Sequence, residues 1–183
     1  MPITPEHALA VYRSADCLAT EAQVNEALAR MAREIGERLA DSNPLVLVVL
    51  TGALVPAGCL LPMLDFPLEL DYVHATRYAG ATAGGELFWI AHPRTSMTGR
   101  SVLIIDDILD EGPTLKAIIE HCRAEGATEV LSAVLVEKRH DRKNGLKADF
   151  VGLEVDDRYV FGFGMDYKGY WRNAPGIYAV KED

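Results

Sequence analysis

Between residues 102 and 115 the chain reads Val-Leu-Ile-Ile-Asp-Asp-Ile-Leu-Asp-Glu-Gly-Pro-Thr-Leu. Four carboxylates, Asp106, Asp107, Asp110 and Glu111, are thus set between an apolar run and a glycine that can open a helix. Crowded carboxylates repel, and a fold tolerates them readily where they meet a metal ion or ligand hydroxyls. Just beyond, Glu111, Gly112, Thr114 and Leu115 can turn backbone N–H groups and the Thr114 hydroxyl towards an anion at a helix N-terminus. That arrangement would cradle a phosphate. An acidic surface turn with an ordinary helix cap uses the same residues, so this loop alone leaves both readings open.

The surrounding elements place the loop where ligands bind. Ser101–Ile105 is a short branched run with the look of a buried strand, and Leu115, Ile118, Ile119 and Cys122 follow at helical spacing, with Gly126 able to end that helix. In open α/β sheets, ligands sit at the carboxyl ends of strands. Upstream, Thr20 and Gln23 form a capping-box pair before Val24, Leu28, Met31, Ile35 and Leu39, an amphipathic helix closed by Pro44. Leu45–Leu50 reads as a strand buried on both faces. Further strands are expected near 68–73, 86–90 and 130–136, with added strands beside the core from Phe150 onward. Strands alternating with helices argue for an α/β fold with a mainly parallel central sheet flanked by helices.

Composition narrows the classes of function. A net charge of −9 disfavours a broad nucleic-acid footprint but not a phosphate held locally by amides and a cation. Three scattered cysteines, Cys17, Cys59 and Cys122, point to a reducing compartment rather than a disulfide framework. The first residues lack the pattern of a secretory signal. The uncharged run 42–63 approaches spanning length, yet Thr51, Gly52, Pro56, Gly58 and Pro62 interrupt it, so a strand, turn and helix are expected there instead of a membrane span. His7, His74, His92, His121 and His140 show no metal spacing or triad and are read as surface or packing residues.

The acidic pair, the third Asp, and the Gly and Thr that follow resemble the signature loop of type I phosphoribosyltransferases. The chain from Leu45 to Arg172 is similar, in order, to the hypoxanthine-guanine members of that family. This resemblance implies one domain over 1–183, with a core of about 45–140 and a small hood from about 1–40 and 150–183. It implies that Leu50, Thr51 and Gly52 form a pyrophosphate loop with a cis Leu50–Thr51 bond, and that Arg172 lies nearby. Tyr78 and the glycine-rich stretch 79–85 would form a mobile loop, although Arg77 stands where the family usually has Ser.

By the same resemblance, Asp106, Asp107, Asp110, Glu111, Gly112, Thr114 and Leu115 would hold the phosphoribosyl group. Lys138 would donate to the purine 6-oxygen, Tyr159 would stack on the base, and Val160 would read its 2-position. Magnesium would be held by Asp106 and Asp107, with a second ion at Asp166. Asp110 would serve near purine N7 as general base or acid. The implied reaction joins hypoxanthine or guanine to the ribose of phosphoribosyl pyrophosphate, in a cytoplasmic homodimer or homotetramer that binds neither nucleic acid nor membrane. Glu111 stands where the family commonly has Thr and is expected to point away from the phosphate; Pro113 removes one amide donor. A nucleotide-sensing regulator is the same-fold alternative, and a receiver-like signalling domain is the different-class one.

Overall fold

A computed structural model describes residues 3–77, 87–143 and 145–181. Thr4 accepts a hydrogen bond from the His7 N–H and, with Pro5 at the first helical position, starts helix α1 (Pro5–Ser14). Strand β1 (Asp16–Ala19) leads into α2 (Glu21–Leu39), whose capping box forms as expected: the Thr20 N–H donates to Gln23 Oε1 at 2.9 Å, and the Gln23 N–H donates back to Thr20 Oγ1. Val24, Leu28, Met31, Ile35 and Leu39 are all buried, so the apolar stripe is a packing face. Helix α2 stops at Leu39, five residues before Pro44.

Strand β2 (Leu45–Leu50) is followed by α3 (Leu54–Leu60), β3 (Glu69–Arg77), β4 (Leu87–Ala91) and β5 (Ser101–Leu109). Next come α4 (Pro113–Ala124), β6 (Glu129–Arg139), β7 (Phe150–Asp156), β8 (Val160–Phe161) and β9 (Ile177–Ala179). Six strands form the larger sheet in the order β4-β3-β2-β5-β6-β7. Every pair in it is parallel except β3 with β4. Helices α2, α3 and α4 pack on this sheet. Leu45–Val49, Val102–Ile105 and Ala133–Val136 form its buried centre. The chain runs outward from β2 to β3 and β4, then crosses back to β5 and runs the other way. That makes the carboxyl ends of β2 and β5 the topological switch point, where a crevice opens.

Two strands run beyond their apolar stretches. β5 continues past Ile105, pairing Asp106 with Val134 and Leu109 with Glu137, while β6 carries Lys138 opposite Val155. The acidic pair and Lys138 therefore lie on strands, not after them. Backbone pairing continues there although the side chains turn to a polar cavity.

The hood also differs in extent from the expected 1–40 and 150–183. α2 packs against β7 and β6, and β7 is the sixth strand of the larger sheet. The smaller unit comprises α1 and the antiparallel sheet β1-β9-β8, which joins the two ends of the chain. Arg158 ties it across, with Nη2 2.6 Å from Asp16 Oδ2 and 2.9 Å from the Val180 carbonyl. Trp171 stacks on Tyr12 at 4.5 Å, and its indole N–H donates to the Ala8 carbonyl. Tyr78 and the stretch 79–85, read as a mobile loop, lie outside the described residues.

Candidate active site

At the switch point the turn after β2 meets the end of β5. The Leu50–Thr51 peptide is cis, the conformation implied for a pyrophosphate loop. Gly52 follows, and a Cβ built on it would lie 1.9 Å from Asp107 Oδ2. On the other side, Gly164 has φ +105°, and a Cβ there would lie 2.1 Å from the Gly52 carbonyl oxygen. At 164 only glycine fits, and at 52 any side chain must push the Asp107 carboxylate aside. A Gly52→Ala variant must displace Asp107 or open the turn. Overpacking of this kind costs about 1–3 kcal/mol, and the melting temperature is expected to fall by roughly 5 °C in calorimetry. An unchanged melting temperature would mean that Asp107 swings aside freely.

Around this contact lies a cavity of about 400 Å³ lined by Leu50, Thr51, Gly52, Asp106, Asp107, Asp110, the Glu111–Leu115 segment, Asp166 and Arg172. Gly112 takes the left-handed conformation (φ +82°) at the N-cap of α4, and Pro113 occupies the first helical turn. Asp106 is buried, and its Oδ1 accepts the Asp107 N–H at 2.9 Å. Burial, reinforced by repulsion from Asp107, pushes the Asp106 carboxyl well above its ordinary range. Burial raises Asp107 as well, opposed by its contact with Asp106 and by the charge of Arg172. Such a pair favours an incoming positive charge or hydroxyl donors. Asp166 is bound by Arg172 Nη2 at 2.5 Å and by the Gly169 N–H at 2.7 Å, while Arg172 Nη1 reaches the Gly164 carbonyl at 2.7 Å.

A second cavity, about 250 Å³, adjoins the first and shares Asp107, Ile108, Asp110 and Asp166 with it. Its remaining walls are Lys138, Tyr159, Val160 and Met165. Lys138 Nζ lies 2.7 Å from Asp110 Oδ2. Tyr159 is 49% exposed, leaving ring surface open, while its carbonyl accepts the Val180 N–H. Val160 is held opposite Ala179 in the smaller sheet. All the residues expected to handle a phosphoribosyl group or a base thus line one or the other compartment, apart from Tyr78, which lies outside the described residues.

Sequence reasoning missed His140, Arg142 and Asp157. His140 Nε2 lies 2.7 Å from Asp110 Oδ1, so this histidine is neither a surface nor a plain packing residue. Arg142 Nη1 lies 2.8 Å from Asp157 Oδ2, and Arg142 Nε lies 3.3 Å from Glu111 Oε1. The Glu111 carboxylate is therefore drawn to an arginine. Burial works to raise Asp110, but hydrogen bonds and charge from Lys138 and His140 outweigh it and hold the carboxyl below its ordinary range. One signal was available: Lys138 and His140 are two apart on an extended chain, hence on one side.

Among the described residues, the three-residue group close enough to share a metal ion is Asp110, His140 and Asp157 rather than the expected acids. Lys138 already stands 2.7 Å from Asp110 and 3.5 Å from Asp157, and Arg142 covers Asp157, so this cluster is neutralised by side chains. A larger cavity, about 530 Å³, lies beyond Gly112 and Pro113. Several of its cations are already paired, Arg142 with Glu111 and Lys143 with Glu137, and it lacks the acidic pair.

A mainly parallel sheet with a two-compartment polar crevice at its switch point, entered by a carboxylate pair and a glycine-opened helix, has counterparts among known proteins. The phosphoribosyl transferase domain family matches residues 15–168. The chain is 36% identical over 165 residues to the hypoxanthine-guanine phosphoribosyltransferase of Bacillus subtilis, covering 90% of this chain and 92% of that protein. It is 32% identical over 160 residues to the hypoxanthine-guanine-xanthine phosphoribosyltransferase of Tritrichomonas foetus, covering 87% of each. The crystal structure of a Staphylococcus aureus hypoxanthine phosphoribosyltransferase superposes with a TM-score of 0.88 at 27% identity, over 94% of this chain and 95% of that one. The chain belongs to the phosphoribosyltransferase family.

Proposed function

We propose that this chain is a purine-salvage enzyme of the cytoplasm that transfers the 5-phosphoribosyl group of phosphoribosyl pyrophosphate to N9 of hypoxanthine or guanine, giving IMP or GMP and pyrophosphate. The observation that carries the reading is the pair of adjoining cavities joined at Asp107, Asp110 and Asp166. The larger, with its helix N-terminus and turn amides, suits phosphates and a sugar. The smaller, with an open tyrosine ring and an ammonium, suits a flat base bearing a carbonyl. A reacting C1 at the seam would meet both.

Each residue then has a task. The 111–115 segment holds the 5-phosphate through the backbone N–H groups of Glu111, Gly112, Thr114 and Leu115 and the Thr114 hydroxyl. Leu50, Thr51, Gly52 and Arg172 face the pyrophosphate, and Asp106 and Asp107 the ribose hydroxyls. Asp110 exchanges a proton at purine N7 as the N9 bond forms. Lys138 donates to the 6-oxygen; an ammonium has donors and no acceptor, so it favours a carbonyl over the amino group of adenine. Tyr159 stacks on the base, and Val160 lies beside its 2-position.

The raised carboxyls of Asp106 and Asp107 fit a magnesium site, since this ion takes one or two carboxylates plus substrate oxygens and water. Asp166 would hold a second ion once Arg172 shifts to the pyrophosphate. Bound there, magnesium would neutralise charge on the departing pyrophosphate. Exposed Leu70, Tyr72, Phe88 and Ile90 on β3 and β4 support a homodimer or homotetramer, which light scattering would read directly.

The test is pyrophosphate release with hypoxanthine, guanine, xanthine and adenine, each with and without magnesium. Release with 6-oxopurines that depends on the metal, and little with adenine, is expected. No release with any 6-oxopurine in the presence of magnesium would refute the assignment. A second measurement concerns Glu111. Its carboxylate is half-exposed and paired with Arg142, a surface-type contact worth little, so Glu111→Thr should move KM for phosphoribosyl pyrophosphate by less than about fivefold. A much larger rise would place the Glu111 side chain on the phosphate.

A further inference from the structure

We propose that His140 is a positioning residue for Asp110: its Nε2–H anchors one carboxylate oxygen while Lys138 turns to the purine. The proposal rests on the reading of Asp110 as the group that exchanges a proton with the base. His140 follows β6, and its side chain is only 6% exposed. Its Nδ1 accepts the Arg142 backbone N–H at 3.2 Å. A neutral imidazole has one donor and one acceptor, so the proton must sit on Nε2, which then donates to Asp110 Oδ1 at 2.7 Å. Protonating Nδ1 would set two N–H groups against each other. His140 is therefore a fixed donor and not a proton relay.

The two oxygens of Asp110 are divided between two partners. Lys138 holds Oδ2 at 2.7 Å and lies 3.5 Å from Asp157. A purine carbonyl entering the smaller cavity would take up one donor of the same ammonium and weaken its hold on Oδ2. Of the other charges near this point, Arg142 is 3.9 Å from Oδ1 and half-exposed, Asp157 is tied to Arg142, and Glu111 meets Arg142 from outside. Among the described residues, only His140 offers Asp110 a short, buried contact outside the path of the base.

Steady-state kinetics of wild type, His140→Ala and His140→Gln with hypoxanthine test the idea. In His140→Ala, kcat is expected to fall by about 10- to 100-fold, the usual weight of a hydrogen bond to a charged group, with KM for phosphoribosyl pyrophosphate unchanged. The acid limb of kcat/KM should move to higher pH, because one of the donors favouring the carboxylate form is gone. Gln can supply an N–H near the same point and should recover most of the loss. An unmoved acid limb in His140→Ala, or a Gln variant as damaged as Ala, would overturn the proposal. Should His140→Ala fail to fold, heteronuclear NMR of the wild-type histidines decides: an Nε2–H imidazole at position 140 supports it, and an Nδ1–H imidazole refutes it. Failure of the wild type to turn over hypoxanthine would instead strike at the proposed reaction.

Discussion

Replacing Asp110 with asparagine is expected to lower kcat with hypoxanthine by about 10²- to 10⁴-fold, the range that a positioned acid or base contributes. The variant keeps the shape of the side chain, so binding of phosphoribosyl pyrophosphate should change little. What it loses is the ability to take a proton from the purine ring. Lys138 and His140 both favour the charged form of the Asp110 carboxylate and so keep it ionised and free to accept that proton. Asparagine would also leave Lys138 facing a neutral amide. Steady-state and single-turnover rates with hypoxanthine and guanine would measure the loss. A fall of less than threefold would remove Asp110 from the chemistry.

The second large effect concerns base choice. In Lys138→Ala, kcat/KM for hypoxanthine is expected to drop by roughly 10- to 100-fold, the weight of one charge-assisted hydrogen bond. The rate with adenine should scarcely move, so discrimination between the two bases collapses from one side. The pH profile carries an independent signature. Lys138 is one of the groups that hold Asp110 below the ordinary carboxylate range. Without it the Asp110 carboxyl rises, and the acid limb of kcat/KM shifts to higher pH. Hypoxanthine and adenine rates lowered in equal proportion would show that Lys138 does not read the 6-position.

Much of this architecture was legible in the residues, and the exceptions share a physical cause. The buried runs Leu45–Leu50 and Ser101–Ile105, the stripe of α2 and the spacing of α4 are all present as read. Periodicity reports burial, so it falls silent where a strand continues into a polar crevice. Asp106, Asp107 and Lys138 sit on such continuations and were placed after the strands. Pairings between distant segments are equally invisible: β7 is a strand of the larger sheet and α2 packs on it, although both fall in the segments expected to form the hood. The convergence of Asp110, Lys138 and Tyr159 on one cavity was anticipated from the family's motifs. His140, Arg142 and Asp157 were not, because their importance lies in neighbours that only the folded chain supplies.

The contact between positions 52, 107 and 164 has a bearing on how this chain can vary. Two of its three members have no side chain, yet each is hemmed in by atoms from another part of the polypeptide. In a comprehensive library of single substitutions scored by purine-dependent growth, positions 52 and 164 should be among the most depleted, alongside the acids themselves. Inheritance at these sites is governed by the space they must leave empty.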